Sequence, residues 1–347
     1  MGRIYFKFSN FENFGTLSKQ FSSFLLLLNP VKNGYQSAVQ TYKFFQSEEY
    51  PMKFRFFLFS LVVFVTAAGV VVSQTPSRKY DLLITNGRII DGAGNPWYRA
   101  DIGIRDGRIV KLGSISPGEA SEVIDAQNQI VAPGFIDVHA HVENIFSNPA
   151  AENFIRMGVT SLVTGNCGGS VTDVGRFLGR FEQTPLSVNL ATLIAHGSVR
   201  RDVLGSEDKQ PSAEELAKMQ GIVEKAMKEG AVGLSTGLIY VPGTYAKTEE
   251  VVALAQVAKR FNGVYASHIR SEGEKVFEAI AEAINIGEQT GIPVDISHFK
   301  IATKKFWGQT EKTLGLVRAA REKGLPVTVD AYAYTASSTS LDTILPS

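Results

Sequence analysis

Four times in the second half of the chain a helical stretch halts at a glycine and a short apolar run follows at once. Ser212 opens the first of these helices with Glu215 three residues on, the spacing of a capping box, and the helix runs to about Glu229 before Gly230. Thr248 to Asn262 stops at Gly263 before Val264, and Glu274 to Thr290 stops at Gly291 before Pro293. The helix through Ala320 stops at Gly324 before Pro326. Glycine just past a helix supplies a left-handed cap, and a proline after it blocks further helix. Helices and strands alternating in this way need parallel strands joined by crossover helices. Counting strands gives Gly134 to Val138, Ser161 to Thr164, Ser187 to Leu193, Val232 to Ser235, Val264 to Ser267, Val294 to Ser297 and Val327 to Tyr332. That is seven where a closed (β/α)8 barrel has eight. The expectation for residues 134–347 is therefore an α/β barrel of this kind lacking its last strand in this chain.

Ahead of the barrel the pattern differs. Residues 74–133 carry short apolar runs separated by Asn86-Gly87, Asp91-Gly92 and Asp106-Gly107. These pairs tolerate the positive φ of tight hairpin turns, so a small antiparallel β unit, a β-sandwich, is expected there. Residues 52–73 have the order of a secretory signal: Lys53 and Arg55, an apolar run from Phe56 to about Val72, then small residues, Val71 and Ser73, at the cleavage positions. A retained membrane anchor is the other reading of the same run. Because that signal starts at Met52, residues 1–51 read as an N-terminal extension outside the fold. The protein is accordingly expected to be exported, to the periplasm or beyond, and to meet a membrane only through this segment.

A length of 347 residues accommodates one barrel plus a smaller unit, and 44% hydrophobic content is that of a globular protein. The net charge of +1 leaves no electrostatic footprint for nucleic acid. Nothing in the sequence fixes an oligomeric state. A single cysteine excludes any disulfide within the chain, so the thiol is buried filler, a redox or nucleophilic group, or a metal ligand.

The chemistry follows from where the rare residues fall. His139 and His141 flank Ala140 at the end of strand one, so both rings point to one side. Cys167 ends strand two, His196 strand three, His268 strand five and His298 strand six. In barrels of this kind the C-terminal strand ends form the active face, so all six side chains are expected at one rim. Imidazole and thiolate are zinc's preferred ligands, and a catalytic zinc keeps one position open. His196 is set apart, because it reads equally well as a hydrogen-bonded loop residue.

Several stretches resemble the amidohydrolase superfamily and, within it, the N-acyl-D-amino-acid deacylases. They include Asn86 to Gly94, Ala132 to His141, Gly165 to Gly168, Gly237 to Ala246, Ser267 to Gly273, Ser297 to Lys300 and Ala333 to Thr339. The cysteine on strand two is the specific marker. Related hydantoinases and dihydroorotases bridge their metals with a modified lysine from strand four, and strand four here, through Ser235, has none. The resemblance implies a tight zinc on Cys167, His268 and His298, and a second, weaker position on His139 and His141 that shares the cysteine. It implies that Tyr240, Lys300 and Ser337 hold the carboxylate and acyl oxygen of a small-molecule substrate. Lys300 also lies two residues beyond His298 and so projects to the same face. The activity implied is zinc-dependent hydrolysis of N-acyl-D-amino acids. Hydantoinase, dihydroorotase and dipeptidase chemistries are the alternatives, as is a non-catalytic metal-binding remnant. That last reading arises because the family's acid–base aspartate, at the end of strand eight, has no counterpart after Tyr332. The expectation is a C-terminally shortened chain with no catalytic base of its own. Asp330 is the nearest substitute, but it belongs to strand seven.

Overall fold

A computed structural model describes residues 78–344. The extension over residues 1–51 and the signal or anchor over residues 52–73 lie outside the described residues. Among those described, no helix is long and apolar enough to cross a membrane. The described chain divides into two compact units at the Pro133–Gly134 junction.

The smaller unit contains seven short strands: β1 (Tyr80–Thr85), β2 (Arg88–Ile89), β3 (Tyr98–Arg99), β4 (Asp101–Arg105), β5 (Arg108–Gly113), β6 (Ala120–Asp125) and β7 (Ile130–Val131). They form two sheets, β5-β4-β1-β6 and β3-β2-β7, with Tyr80, Leu83, Ile115 and Ala120 packed as a small core. The expectation of antiparallel pairing holds for β1 with β4, for β2 with β3 on either side of Asp91-Gly92, and for β4 with β5, where Asp106 and Gly107 take positive φ at the turn. It fails for β1 with β6 and β2 with β7, which pair in parallel. Asn86-Gly87 closes no hairpin. Asn86 is left-handed at φ 56, but the chain there passes from one sheet into the other, held by Asn86 Nδ2 on Asp125 Oδ1 at 3.0 Å. Turn chemistry specifies a bend; which strands pair afterwards is decided by packing.

In the larger unit seven parallel strand positions are found among the described residues. They are β8 (Phe135–Asp137), β9 (Val159–Thr164), β10 with β11 (Asn189–Thr192 and Ile194–Ala195), β12 (Gly233–Gly237), β13 (Val264–His268), β14 (Val294–Ile296) and β15 (Val327–Val329). β10 and β11 are one strand interrupted at Leu193, whose N–H donates to Thr164 while the Thr192 carbonyl accepts from Val232. The strands lie in sequence order, each parallel to the next. Helices α1 (Glu152–Ile155), α2 (Val174–Gly179), α3 (His196–Leu204), α4 (Ala213–Lys228), α5 (Thr248–Arg260), α6 (Val276–Thr290) and α7 (Thr310–Glu322) connect them.

The core lies between strands and helices. Leu234, Tyr265, Val294 and Val327 stand side by side in register and pack with Met219, Val223, Leu254, Ile280 and Ile286. The helix boundaries follow their signals. Ser212 and Glu215 make the reciprocal capping box, and α6 ends on Gly291 at φ 68. After α5 the left-handed residue is Asn262 at φ 58 rather than Gly263, a role asparagine tolerates because its short polar side chain bonds locally.

Candidate metal centre

All five residues read from the sequence as metal ligands converge at the C-terminal ends of their strands. His139 and His141 follow β8, Cys167 follows β9, His268 is the last residue of β13, and His298 lies two residues past β14. The sulfur of Cys167 is 3.3 Å from Nε2 of His139 and 3.6 Å from Nε2 of His298. His268 packs edge-on against His298 with ring centroids 4.4 Å apart, and His141 lies 5.4 Å from His139 by the same measure.

The loop carrying Cys167 is built to bring its backbone close to strand β12. The hydroxyl of Ser235 accepts from the Gly168 N–H at 3.2 Å and donates to the Gly165 carbonyl at 2.5 Å. Gly168 sits at φ +73, and a Cβ there would come within 2.4 Å of the Gly237 nitrogen. Gly168→Ala is therefore expected to cost about 1–3 kcal/mol of stability, as overpacking typically does, with the strained φ adding to it. Gly169, whose added Cβ would meet nothing within 4 Å, is the matched control. Equal urea midpoints for the two alanine variants would contradict this account. Cys167 itself has φ 54 and His298 φ 37, so two of the five residues are held in conformations that side chains other than glycine seldom adopt.

Charge in the cluster is organised around the thiol. Burial pushes the Cys167 thiol up, but hydrogen bonds from His139, His141, His268 and His298 outweigh it and bring the pKa down to about 2. Burial depresses His139, yet Asp330 and Cys167 together raise it to about 10. His298 likewise rises to about 9, against burial, through Cys167 and Glu272. The hydrogen bond to Cys167 raises His141 as well.

These residues fit a metal ion. Nδ1 of His139 meets Asp330 Oδ2 at 2.9 Å, and Nδ1 of His298 meets Glu272 Oε1 at 2.8 Å. In both rings this leaves Nε2 toward the sulfur, the arrangement by which carboxylates orient histidine ligands. His268 is buried and its Nδ1 has no hydrogen-bond partner. Two donor groups fall within metal-binding reach, His139 with Cys167 and His298, and His268 with Glu272 and His298. Strand β12, with the sequence Gly-Leu-Ser-Thr-Gly, brings no lysine to the site.

A cavity of about 350 Å³ opens beside the cluster, and Tyr240, Lys300 and Ser337 all line it. The hydroxyl of Tyr240 lies 3.0 Å from Thr339 Oγ1, and its ring packs edge-on against His268. Lys300 Nζ is 2.5 Å from Glu272 Oε1 and 3.0 Å from the His298 carbonyl.

His196 is not at this rim. β11 runs straight into α3, and His196, the first residue of that helix, is buried with Nε2 2.8 Å from Glu250. The expectation that all six rare side chains share one face is corrected to five. Arg270 pairs with Glu282 at 2.9 Å and with the carbonyls of Thr244 and Ala246, so it is an ion-paired structural residue. Asp330 follows β15 directly, and its second oxygen accepts from the His298 N–H at 2.5 Å. Both its oxygens thus hold ligand residues. Beside it, burial and Asp330 push Asp295 up to about 6. Glu272 escaped the sequence reading; its only signal is a carboxylate four residues past His268.

One cysteine and four histidines drawn together at the C-terminal strand ends of a parallel β/α barrel are a donor set that suits a metal ion such as zinc. The model of the amidohydrolase family matches residues 122–337, and the chain belongs to that family. A D-aminoacylase of Alcaligenes xylosoxydans xylosoxydans is 35% identical over 294 residues, covering 78% of this chain and 60% of the relative. An N-acyl-D-glutamate deacylase of the same organism is 37% identical over 287 residues, covering 76% and 59%. Among solved structures, the N-acyl-D-glutamate deacylase of Bordetella bronchiseptica, complexed with zinc and a phosphonate mimic of the tetrahedral intermediate, superposes with a TM-score of 0.72. It is 36% identical, over 74% of this chain and 59% of that one. The chain thus spans about three fifths of the length of these relatives.

Proposed function

We propose that this chain carries the zinc centre and carboxylate contacts of an N-acyl-D-amino-acid deacylase, which hydrolyses the amide to give a carboxylate and a free D-amino acid. The observation that carries the reading is the single thiolate on the strand-two loop, 3.3 and 3.6 Å from two imidazole nitrogens, with no lysine on the fourth strand. The deacylase names of the relatives and the zinc in the Bordetella structure support it. Cys167, His268 and His298 would hold the tight zinc, and His139 with His141 a weaker second ion sharing the sulfur. Zinc held there would supply a Lewis acid for the scissile carbonyl and bring the pKa of a water down to about 7. Lys300 and Ser337 would seat the substrate carboxylate and Tyr240 the acyl oxygen. Asp330 and Glu272 keep the two histidine rings turned toward the sulfur. With both oxygens engaged, Asp330 serves placement rather than proton transfer.

The test is acetate release by the zinc-loaded full-length form, not by this chain alone, from N-acetyl-D- and N-acetyl-L-amino acids. Turnover of the D-series alone is expected. Turnover of only the L-series, or only of cyclic ureides, sinks the deacylase reading. Tight zinc without turnover of any of these favours a metal-binding remnant. Zinc binding should also depend on pH. Near neutrality the metal-free site holds imidazolium at His139 and His298, raised to about 10 and about 9. Each must lose its proton before its nitrogen can ligate, so affinity rises with pH, up to about tenfold per unit for each proton released. Chelator competition from pH 6.5 to 8.5 reads this slope, and a flat profile would refute it. For localisation, we propose export through residues 52–73, with sequencing of the secreted protein's N-terminus expected to begin near Gln74.

A further inference from the structure

Lys300 and Glu272 are the one cation and the one carboxylate among the described residues that line the cavity, leaving the histidines aside. They are not independent. Oε1 of Glu272 lies 2.5 Å from the Lys300 ammonium and 2.8 Å from Nδ1 of His298. The side chain is 14% exposed, and the paired lysine and histidine hold its carboxyl below the usual range against the pull of burial. One oxygen therefore serves a residue of the metal cluster and the residue placed for substrate. A carboxylate behind a ligand ring fixes which nitrogen faces the metal and makes that nitrogen a stronger donor. The same carboxylate against an ammonium cancels the field that an incoming anion would feel.

Resting on the deacylase reading, we infer that Glu272 is a positioning residue for both halves of the site, whose negative charge strengthens zinc binding through His298 and weakens carboxylate binding at Lys300. The two consequences have opposite signs, and this separates the role from a structural one. A side chain that merely held the loop after β13 would, once replaced, loosen both together.

The test uses Glu272→Gln in the whole chain, compared with wild type. Chelator competition should show zinc binding weakened roughly 10–100-fold, the usual cost of losing such a partner. Calorimetry with N-acetyl-D-methionine on metal-free protein should show binding tightened roughly 3–10-fold, because Lys300 has lost its counter-charge. Lys300→Met provides the converse: carboxylate binding lost, zinc affinity at wild-type level or above. It decides the matter if the glutamine variant does not fold. Zinc affinity within twofold of wild type in Glu272→Gln, or both affinities falling in step, overturns the inference. So does zinc loss in Lys300→Met, or a wild-type protein that binds no carboxylate. If N-acetyl-D-methionine binds but the zinc-loaded full-length form never hydrolyses it, the deacylase reading fails while the opposed affinities still decide the role of Glu272.

Discussion

Cys167→Ser is expected to remove tight zinc binding while leaving the barrel folded. The cysteine is half-buried and is no part of the apolar core, so its loss leaves no large cavity. Its sulfur, however, stands between rings brought from three separate strand ends, at 3.3 Å from His139 and 3.6 Å from His298. Losing an outer partner of a metal ligand already costs roughly 10–100-fold in affinity, so losing the shared thiolate should cost at least about 100-fold. A second effect appears without metal. The thiolate is one reason why His139 stands at about 10 and His298 at about 9. With serine in its place, burial opposes charging of rings that now face one another, and both pKa values should fall. Chelator competition measures the first effect and NMR titration of the histidine ring protons the second. Zinc affinity within tenfold of wild type, or unmoved histidine titrations, would mean the sulfur is filler.

Much of this site was legible in the sequence because its parts lie at repeating positions. His268 and His298 sit at the ends of strands that a glycine signal had already delimited. Parallel topology sends those ends to the same face as the ends of strands one and two, with His139, His141 and Cys167. What stayed hidden depends on contacts between distant segments. Nothing local says that Asp330 reaches His139, 191 residues away, or that Glu272 bends back to His298 and Lys300. His196 is rightly kept apart from the ligand set, but its placement at the shared rim is wrong, because strand three passes into α3 without a loop and the ring turns to Glu250 instead. In the smaller unit the turn residues were plain, but whether β1 meets β6 in parallel is a choice between sheets, and local turn chemistry does not make it.

The largest stability effect is expected from Glu250→Ala. Glu250, in the first turn of α5, accepts from His196 at 2.8 Å and from Arg200, both on one face of α3. All three side chains are almost wholly buried, at 2, 0 and 0% exposure. Removing the carboxylate leaves a guanidinium uncompensated in the interior, a change that typically costs about 3–5 kcal/mol. Arg200 keeps a second contact to the Lys209 carbonyl, which offsets part of the loss. Burial alone would raise the pKa of Glu250, but His196 and Arg200 lower it. A carboxyl depressed by folding contributes its stability in full above the unfolded value of about 4.3, and that contribution is lost as pH falls through the folded value. The gap between wild type and Glu250→Ala in urea denaturation should therefore be wide at pH 7 and narrow in acid. The damage should also reach the metal cluster. The N–H of Ser198 in α3 donates to the Gly168 carbonyl at 3.2 Å, and a Cβ on Gly197 would lie 2.6 Å from that oxygen. Loosening α3 thus frees the loop that presents Cys167, and zinc affinity should drop in a variant that touches no ligand. A loss under about 1 kcal/mol at pH 7, or one that does not shrink in acid, would show that the buried triad does not brace the site.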